Sequence, residues 1–527
     1  MKPAQKRPAA VERNSTWRQF FLCVAFANLF FLDEWNTLVT RWDDATLSAP
    51  PHLTLPKLFA PVLLSILALA MVFWAISAIA PRSWPWICLI GVLIPISLFR
   101  IFVFNLERAD IEARIGRGGL LALALLAAAA LIYWRKSLLQ FAALIPLVFS
   151  PLLPIQLING WWQFQHLPPA SAYLPQPSAP LLPVKPNSPR VLWLLFDELD
   201  QSIVYDHRPA SLSLPQFDRL RQESLYFDHV DAIGRFTIQA MPGLLTGRQV
   251  IRFRPYGPND LLLRFADDPT PRTWSSIRNI FDDLRADGFN SALLDGELPY
   301  CRALGHSLAR CDELLPFEGI EAELARPSIL ERTWYLLRTR PAFFPFAGSI
   351  RALRRFRTPL YDEESRRISR AGDIKAFDEI RAHARQLAAD RRYQLVLMHF
   401  PLPHLLGFYD RRTGQYSTAD SSSYLDNAAL ADRTFGEVRG ALEAAGLWDQ
   451  TTLLVTSDHP LRDFVTEIAA EWNDPETASL ASYPRRYVPF LLKIPGRAPA
   501  ESHQPFTALR VHDLLRQLVL GDTTHIM

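Results

Sequence analysis

The chain has 527 residues, enough for more than one domain with its own core. A formal charge of +3 at pH 7 leaves no strong basic excess, which excludes a dedicated nucleic-acid binder. The average conceals a division: apolar residues crowd into the first third, charged ones into the remainder.

Five segments of that first third have the roughly 20-residue apolar length that a bilayer requires, namely 19–40, 58–80, 85–105, 118–134 and 138–159. Asp33 and Glu34 interrupt the first, and either face a bundle interior or end the span early. The further apolar runs argue against a cleaved signal peptide. Basic residues set the expected orientation. Lys2, Lys6, Arg7, Arg13 and Arg18 keep the N-terminus in the cytoplasm, and Arg135 with Lys136 agrees. Arg108, Arg114 and Arg117 fall on the outer side and conflict with it. An odd number of spans puts everything after residue 160 outside the cytoplasm. Cys23 and Cys88 lie in apolar runs and read as core thiols.

Between 166 and 189 the chain is dense in proline (Pro168, Pro169, Pro175, Pro177, Pro180, Pro183, Pro186, Pro189). Such a stretch forms neither helix nor central strand, and tends to a semi-rigid polyproline spacer. The expected organisation is a transmembrane bundle over 1–165, a linker over 166–189 and a soluble domain over 190–527.

From 190 onward, apolar runs of strand length at 191–196, 290–294, 393–398 and 452–456 alternate with helical periodicity at 214–225, 275–287, 376–390 and 424–446. Buried strands alternating with helices predict an α/β domain with a mostly parallel sheet covered on both sides. The runs lead into Asp197 and Glu198, into Asp295, into His399 and His404, and through Ser457 into Asp458 and His459. Ligands of open parallel sheets bind outside the carboxyl ends of the strands. Any one of these residues alone reads as a helix cap or a solvated loop side chain. Together they bring oxygen and nitrogen ligands to one edge, a set that suits zinc or manganese. Cys301 and Cys311 lack CxxC or Cys/His zinc spacing. A disulfide and two separate thiols both stay open for them. Residues 332–370 carry many arginines, among them Arg332, Arg340 and Arg370, interleaved with aromatic residues. They read either as an interfacial segment on anionic lipid head groups or as a solvated helical face.

The stretch 190–495 resembles the sulfatase and phosphoethanolamine or phosphoglycerol transferase branch of the alkaline phosphatase superfamily. The resemblance runs in order through VLWLLFDELD, LPQFDRLRQESLYFDHV, TIQAMPGLLTGR, MHFPLPH, LLVTSDHP and RRYVPFLLKIPG. It implies Asp197 as the first acidic metal ligand, Glu198 as an optional further one, and Asp458 with His459 as the closing ligand pair. It implies Thr237 as nucleophile, whose bland alternative is capping the following helix. His404 and His399 would stabilise the phosphoryl group and protonate the departing alcohol; their alternative is burial beside the sheet.

Formylglycine sulfatases place Cys or Ser in a CxPxR segment, whereas Ile238 and Gln239 follow Thr237 here. The chain therefore looks more like the head-group transferases and lipoteichoic-acid-synthase-like enzymes, which tend to carry five N-terminal spans. Pro460 departs from the family glycine, and Leu294-Asp295-Gly296-Glu297 from the sulfatase GKWH segment. The implied protein is an enzyme of the bacterial inner membrane, its catalytic domain on the periplasmic or extracellular side. It would move a phosphorylated head group from a membrane lipid to an envelope lipid or glycan. A hydrolase of phosphate or sulfate esters, and a non-catalytic membrane protein keeping the fold, are the alternatives.

Overall fold

A computed structural model describes residues 9–39, 55–102, 118–166 apart from scattered positions between 120 and 131, 174–314 apart from 187 and 258, 328–343, 363–462 apart from 405, 406, 420 and 421, 486–523, and 526. These form two compact units. One gathers the apolar helices up to residue 166 together with 328–343, and the other holds the remaining described residues.

The second unit is built on a nine-stranded sheet. In chain order its strands are β1 (Arg190–Phe196), β2 (Leu225–Asp231), β3 (Ser291–Asp295), β4 (Arg310–Glu313), β5 (Leu395–Phe400), β6 (Thr451–Thr456), β7 (Tyr487–Lys493), β8 (Ala500–Ser502) and β9 (Phe506–Thr507). The spatial order is β8-β2-β7-β6-β1-β5-β3-β4, with β9 also beside β2. From β6 to β4 every pairing is parallel; β7 runs antiparallel to both its neighbours. The expected mostly parallel α/β sheet is therefore what the chain forms.

Strand side chains alternate between faces, and β1 shows why these runs are apolar throughout. Val191, Trp193 and Leu195 enter one core, beside residues of the helices Thr237–Thr246, Ile280–Ala286 and Val511–Leu520. Leu192, Leu194 and Phe196 enter the other, beside the helices Pro215–Glu223, Glu363–Ala389 and Tyr424–Ala444. A strand covered on both faces has no polar side to display.

Two local expectations shift. The strand expected at 393–398 starts later and takes in His399, because the Gln394 amide and side chain are both spent on the backbone of Asn290. The helix expected over 275–287 divides into a 3-10 turn, Trp274–Ser276, and a helix, Ile280–Ala286, started by the Asn279–Asp282 capping box. The described part of the proline-rich segment, from Leu174 on, bonds to this unit. Its backbone bonds Cys301 and Leu308, and Leu182 is clamped by the Asn290 side chain. Cys301 and Cys311 are joined in a disulfide.

In the first unit, three helices among the described residues are long and apolar enough to cross a membrane: Phe59–Ile79, Pro81–Leu98 and Arg135–Gln165. The first expected span is instead broken into Ala9–Asn28, a 3-10 turn Leu29–Phe31 and Leu32–Val39. The expected spans at 85–105 and 138–159 each comprise two consecutive helices, Trp84–Gly91 with Leu93–Phe102 and Arg135–Val148 with Leu152–Gln165. Of the segment at 118–134, positions 120, 121, 123, 124, 127, 128 and 131 lie outside the described residues.

Asp33 and Glu34 face the interior of this unit. Arg340, at the end of the helix Ile329–Thr339, meets Asp33 at 2.6 Å and Glu34 at 2.9 Å, and also bonds the Phe30 carbonyl. All three charged side chains are at least nine-tenths buried. Tyr335 and Leu336 of the same helix join the apolar core with Phe31, Trp35 and Phe59. Arg332 and Arg370 are buried as well, Arg370 on the Gly407 carbonyl. The two surface readings of this arginine-rich segment therefore fail at Arg332, Arg340 and Arg370. Residues 344–362 lie outside the described residues.

Candidate active site

The parallel register brings the carboxyl ends of β1, β3, β5 and β6 level: Leu195 lies opposite both Thr456 and His399, and Asp295 opposite His399. Asp197 and Glu198 leave β1, while Ser457, Asp458 and His459 leave β6; all five are completely buried. Glu198 adopts φ 61°, a left-handed conformation that costs a non-glycine residue on the order of 1 kcal/mol or more. Neighbouring groups hold it there. Its amide donates to Asp458 Oδ1 at 3.2 Å, and its carbonyl accepts the Tyr424 hydroxyl at 2.7 Å.

Asp197, Asp458 and His459 offer ligand atoms that all lie within 4.8 Å of one another. Asp458 Oδ2 is buried and makes no hydrogen bond, although His459 Nε2 lies 3.3 Å away. Burial, with the facing carboxylates of Asp458 and Glu198, pushes the Asp197 carboxyl well above its ordinary range. Burial acts most strongly on Asp458 too, but the neighbouring imidazoles together with hydrogen bonds from Thr237 and the Glu198 amide outweigh it and hold that carboxyl low. Buried carboxylates crowded on one imidazole, with an oxygen left unpaired, fit a divalent cation with oxygen and nitrogen ligands.

Thr237 is the first residue of the helix Thr237–Thr246, and its side chain does not cap that helix. Its hydroxyl lies 3.4 Å from Asp197 Oδ2 and 3.4 Å from His459 Nε2. Glu198 stands outside the three-ligand group. Its Oε1 accepts from Arg462 Nε, while Oε2 makes no hydrogen bond. His404 is partly exposed, and its Nε2 lies 2.7 Å from Arg462 Nη2, so the imidazole accepts there and carries its proton on Nδ1. His399 is fully buried, its Nδ1 3.2 Å from the Tyr300 hydroxyl and 3.1 Å from Asp295 Oδ1.

Three participants escaped the sequence reading. Arg462 bridges Glu198 and His404. Tyr300 backs His399. Asp200 accepts the amides of Ser202 and Leu461, tying the loop after β1 to the loop after β6. No spacing rule marks an arginine or tyrosine that reaches a site across the sheet. Only the proximity of Asp200 and Arg462 to two motifs could have suggested them.

No curated protein matches the chain. Among solved structures, a protein of the alkaline phosphatase superfamily from Vibrio parahaemolyticus is 16% identical, over 66% of this chain and 72% of its own, with a TM-score of 0.36. A phosphonate monoester hydrolase of Agrobacterium radiobacter is 16% identical, over 62% and 74%, with a TM-score of 0.37. A sulfatase from Pseudoalteromonas sp. is 15% identical, over 63% and 68%, with a TM-score of 0.40. The family model described as Sulfatase matches residues 189–519, well over half of the chain, and the chain belongs to the sulfatase family.

Proposed function

We propose that the α/β unit is a metal-dependent phosphoester transferase that works through a covalent intermediate on Thr237. The observation that carries this reading is the Thr237 hydroxyl, held 3.4 Å from both Asp197 and His459 instead of capping its own helix. A threonine cannot be converted to formylglycine, so the chemistry needs the hydroxyl itself as nucleophile.

In this reading Asp197, Asp458 and His459 hold the ion, zinc or manganese, and Glu198 stays with Arg462. When bound, the ion supplies the positive charge that acidifies the threonine hydroxyl and offsets the phosphoryl oxygens. Thr237 Oγ1 bonds to phosphorus as its proton passes to the Asp197 carboxylate. The bond from phosphorus to the donor's alcohol breaks, and the departing oxygen, held by a hydrogen bond from His404 Nδ1–H, takes its proton from solvent as Asp197 releases the one it accepted. Arg462 fixes the His404 tautomer by donating to Nε2. His399, buried beside Asp295 and Tyr300, is a positioning residue. A second alcohol then attacks phosphorus and restores the Thr237 hydroxyl.

The apolar helices of the first unit support a membrane setting, in which a membrane lipid is the donor and an envelope lipid or glycan the acceptor. The Cys301–Cys311 disulfide fits an oxidising compartment outside the cytoplasm. With water as acceptor the same site is a hydrolase, and the buried donor set favours neither outcome.

The test is to incubate the detergent-purified chain with bacterial lipids and zinc or manganese without added acceptor, quench with acid, and map the tryptic peptide 236–248. Thr237 and Thr246 are its only hydroxyl residues. An adduct on Thr237 is expected, its mass naming the transferred group. Thr237→Ala should slow turnover at least roughly a thousandfold, about 4 kcal/mol of barrier. An unmodified peptide together with an active Thr237→Ala enzyme would overturn the nucleophile. Turnover that ignores added alcohol acceptors would leave the hydrolase.

A further inference from the structure

A second gathering of imidazoles and carboxylate sits on β2, with β7 between it and β6. Along β2 the ladder to β7 slips: Phe227 pairs with Phe490 but Val230 with Val488, so β2 carries one residue more than its partner. The other edge breaks at the same level. There β8 pairs with Leu225–Phe227 and β9 resumes at Val230, leaving Asp228 and His229 without ladder partners on either side. In a regular strand, consecutive side chains point to opposite faces; a bulge re-aims one of them. Here it brings the neighbours together, with His229 Nδ1 2.5 Å from Asp228 Oδ1. His503, the first residue after β8, closes the group with Nδ1 2.6 Å from Asp228 Oδ2. The Tyr487 ring packs edge-on against His229 with centroids 4.9 Å apart, which limits its rotation.

We propose that Asp228, His229 and His503 form a second metal site, taking zinc or a similar borderline divalent ion and clipping the chain after β8 onto β2. Two imidazoles and a carboxylate suit zinc, nickel or copper, and do not suit magnesium or calcium, which prefer oxygen. A tetrahedral ion with bonds near 2.0–2.1 Å needs ligand atoms roughly 3.3 Å apart. Each imidazole therefore backs off from Asp228 by less than an ångström, which the exposed His503 and partly exposed His229 side chains permit.

The test uses the whole chain in detergent with Asp197→Asn and Asp458→Asn, which silence the catalytic group. Zinc titrated at neutral pH should bind with about one equivalent per chain. Adding His503→Ala, or separately His229→Ala, should weaken that binding at least roughly a hundredfold, the upper loss for groups that only orient a ligand, while excess magnesium leaves it unchanged. In the otherwise unaltered chain, His503→Ala should lower zinc uptake by one equivalent. Zinc should also shield the His503 imidazole from diethyl pyrocarbonate, a readout that needs no variant. Zinc affinity indifferent to His503 and His229, no zinc uptake by the silenced chain, or an unshielded His503 would each overturn the proposal.

Discussion

Two of the buried charge clusters among the described residues are balanced in opposite ways. Among the apolar helices, Asp33 and Glu34 both meet the Arg340 guanidinium at hydrogen-bond distance. At the carboxyl edge of the sheet, Asp197 and Asp458 share one imidazole, and an Asp458 oxygen is left without a hydrogen bond. The first cluster is closed by a cation the chain carries itself. The second leaves negative charge for something the chain does not carry. Burial alone therefore separates nothing; the state of the remaining lone pairs distinguishes a structural ion pair from a binding site.

The largest effect expected from this contrast is on activity. Asp458→Asn should cut turnover and metal affinity by at least roughly a thousandfold, about 4 kcal/mol, while the melting temperature in chelator stays equal or rises. A chelator-treated variant that melts well below the parent would mean the cluster is structural after all.

Arg340→Ala should do the reverse. Leaving two carboxylates buried without their cation costs about 3–5 kcal/mol of stability, read as a lower melting temperature in detergent. Replacing Asp33, Glu34 and Arg340 together by leucine should recover most of that loss, since apolar packing can replace a buried ion pair. Triple replacement as damaging as the single one would give the cluster a role beyond closure.

The smallest effect is a pH slope. Burial pushes the Asp432 carboxyl up to about 7, against the backbone amide of Phe217, which it accepts at 2.7 Å. The folded protein then holds a proton that the unfolded chain has released, so stability falls as pH rises from about 4 towards 7. Asp432→Asn should flatten that slope in the α/β unit. An unchanged slope would assign it to other groups.

The four buried strands of the sheet core are legible because each is apolar on both faces and has a charged or imidazole residue at or just beyond its carboxyl end. Asp197, Asp458 and His459 could be read from those strand ends, since strand direction carries them to one edge. His399 shows the limit. The strand runs on to Phe400 and takes His399 in, and the pairing with Leu195 and Asp295 that carries it that far is not a local signal. The Cys301–Cys311 pairing stayed open for a similar reason. It depends on the Cα–Cα approach of 5.6 Å, which spacing does not determine.

By itself, then, the sequence determined the alternation of buried strands and helices, the apolar first third, and the edge at which Asp197, Asp458 and His459 meet. All of these follow from local hydrophobic period and chain direction. The tertiary structure alone decided how buried charges are closed. Arg340 reaches Asp33 across 307 positions, and Arg462 reaches Glu198 across 264. Such pairings carry no period, because a long side chain finds its partner through packing and the cost of leaving it buried alone.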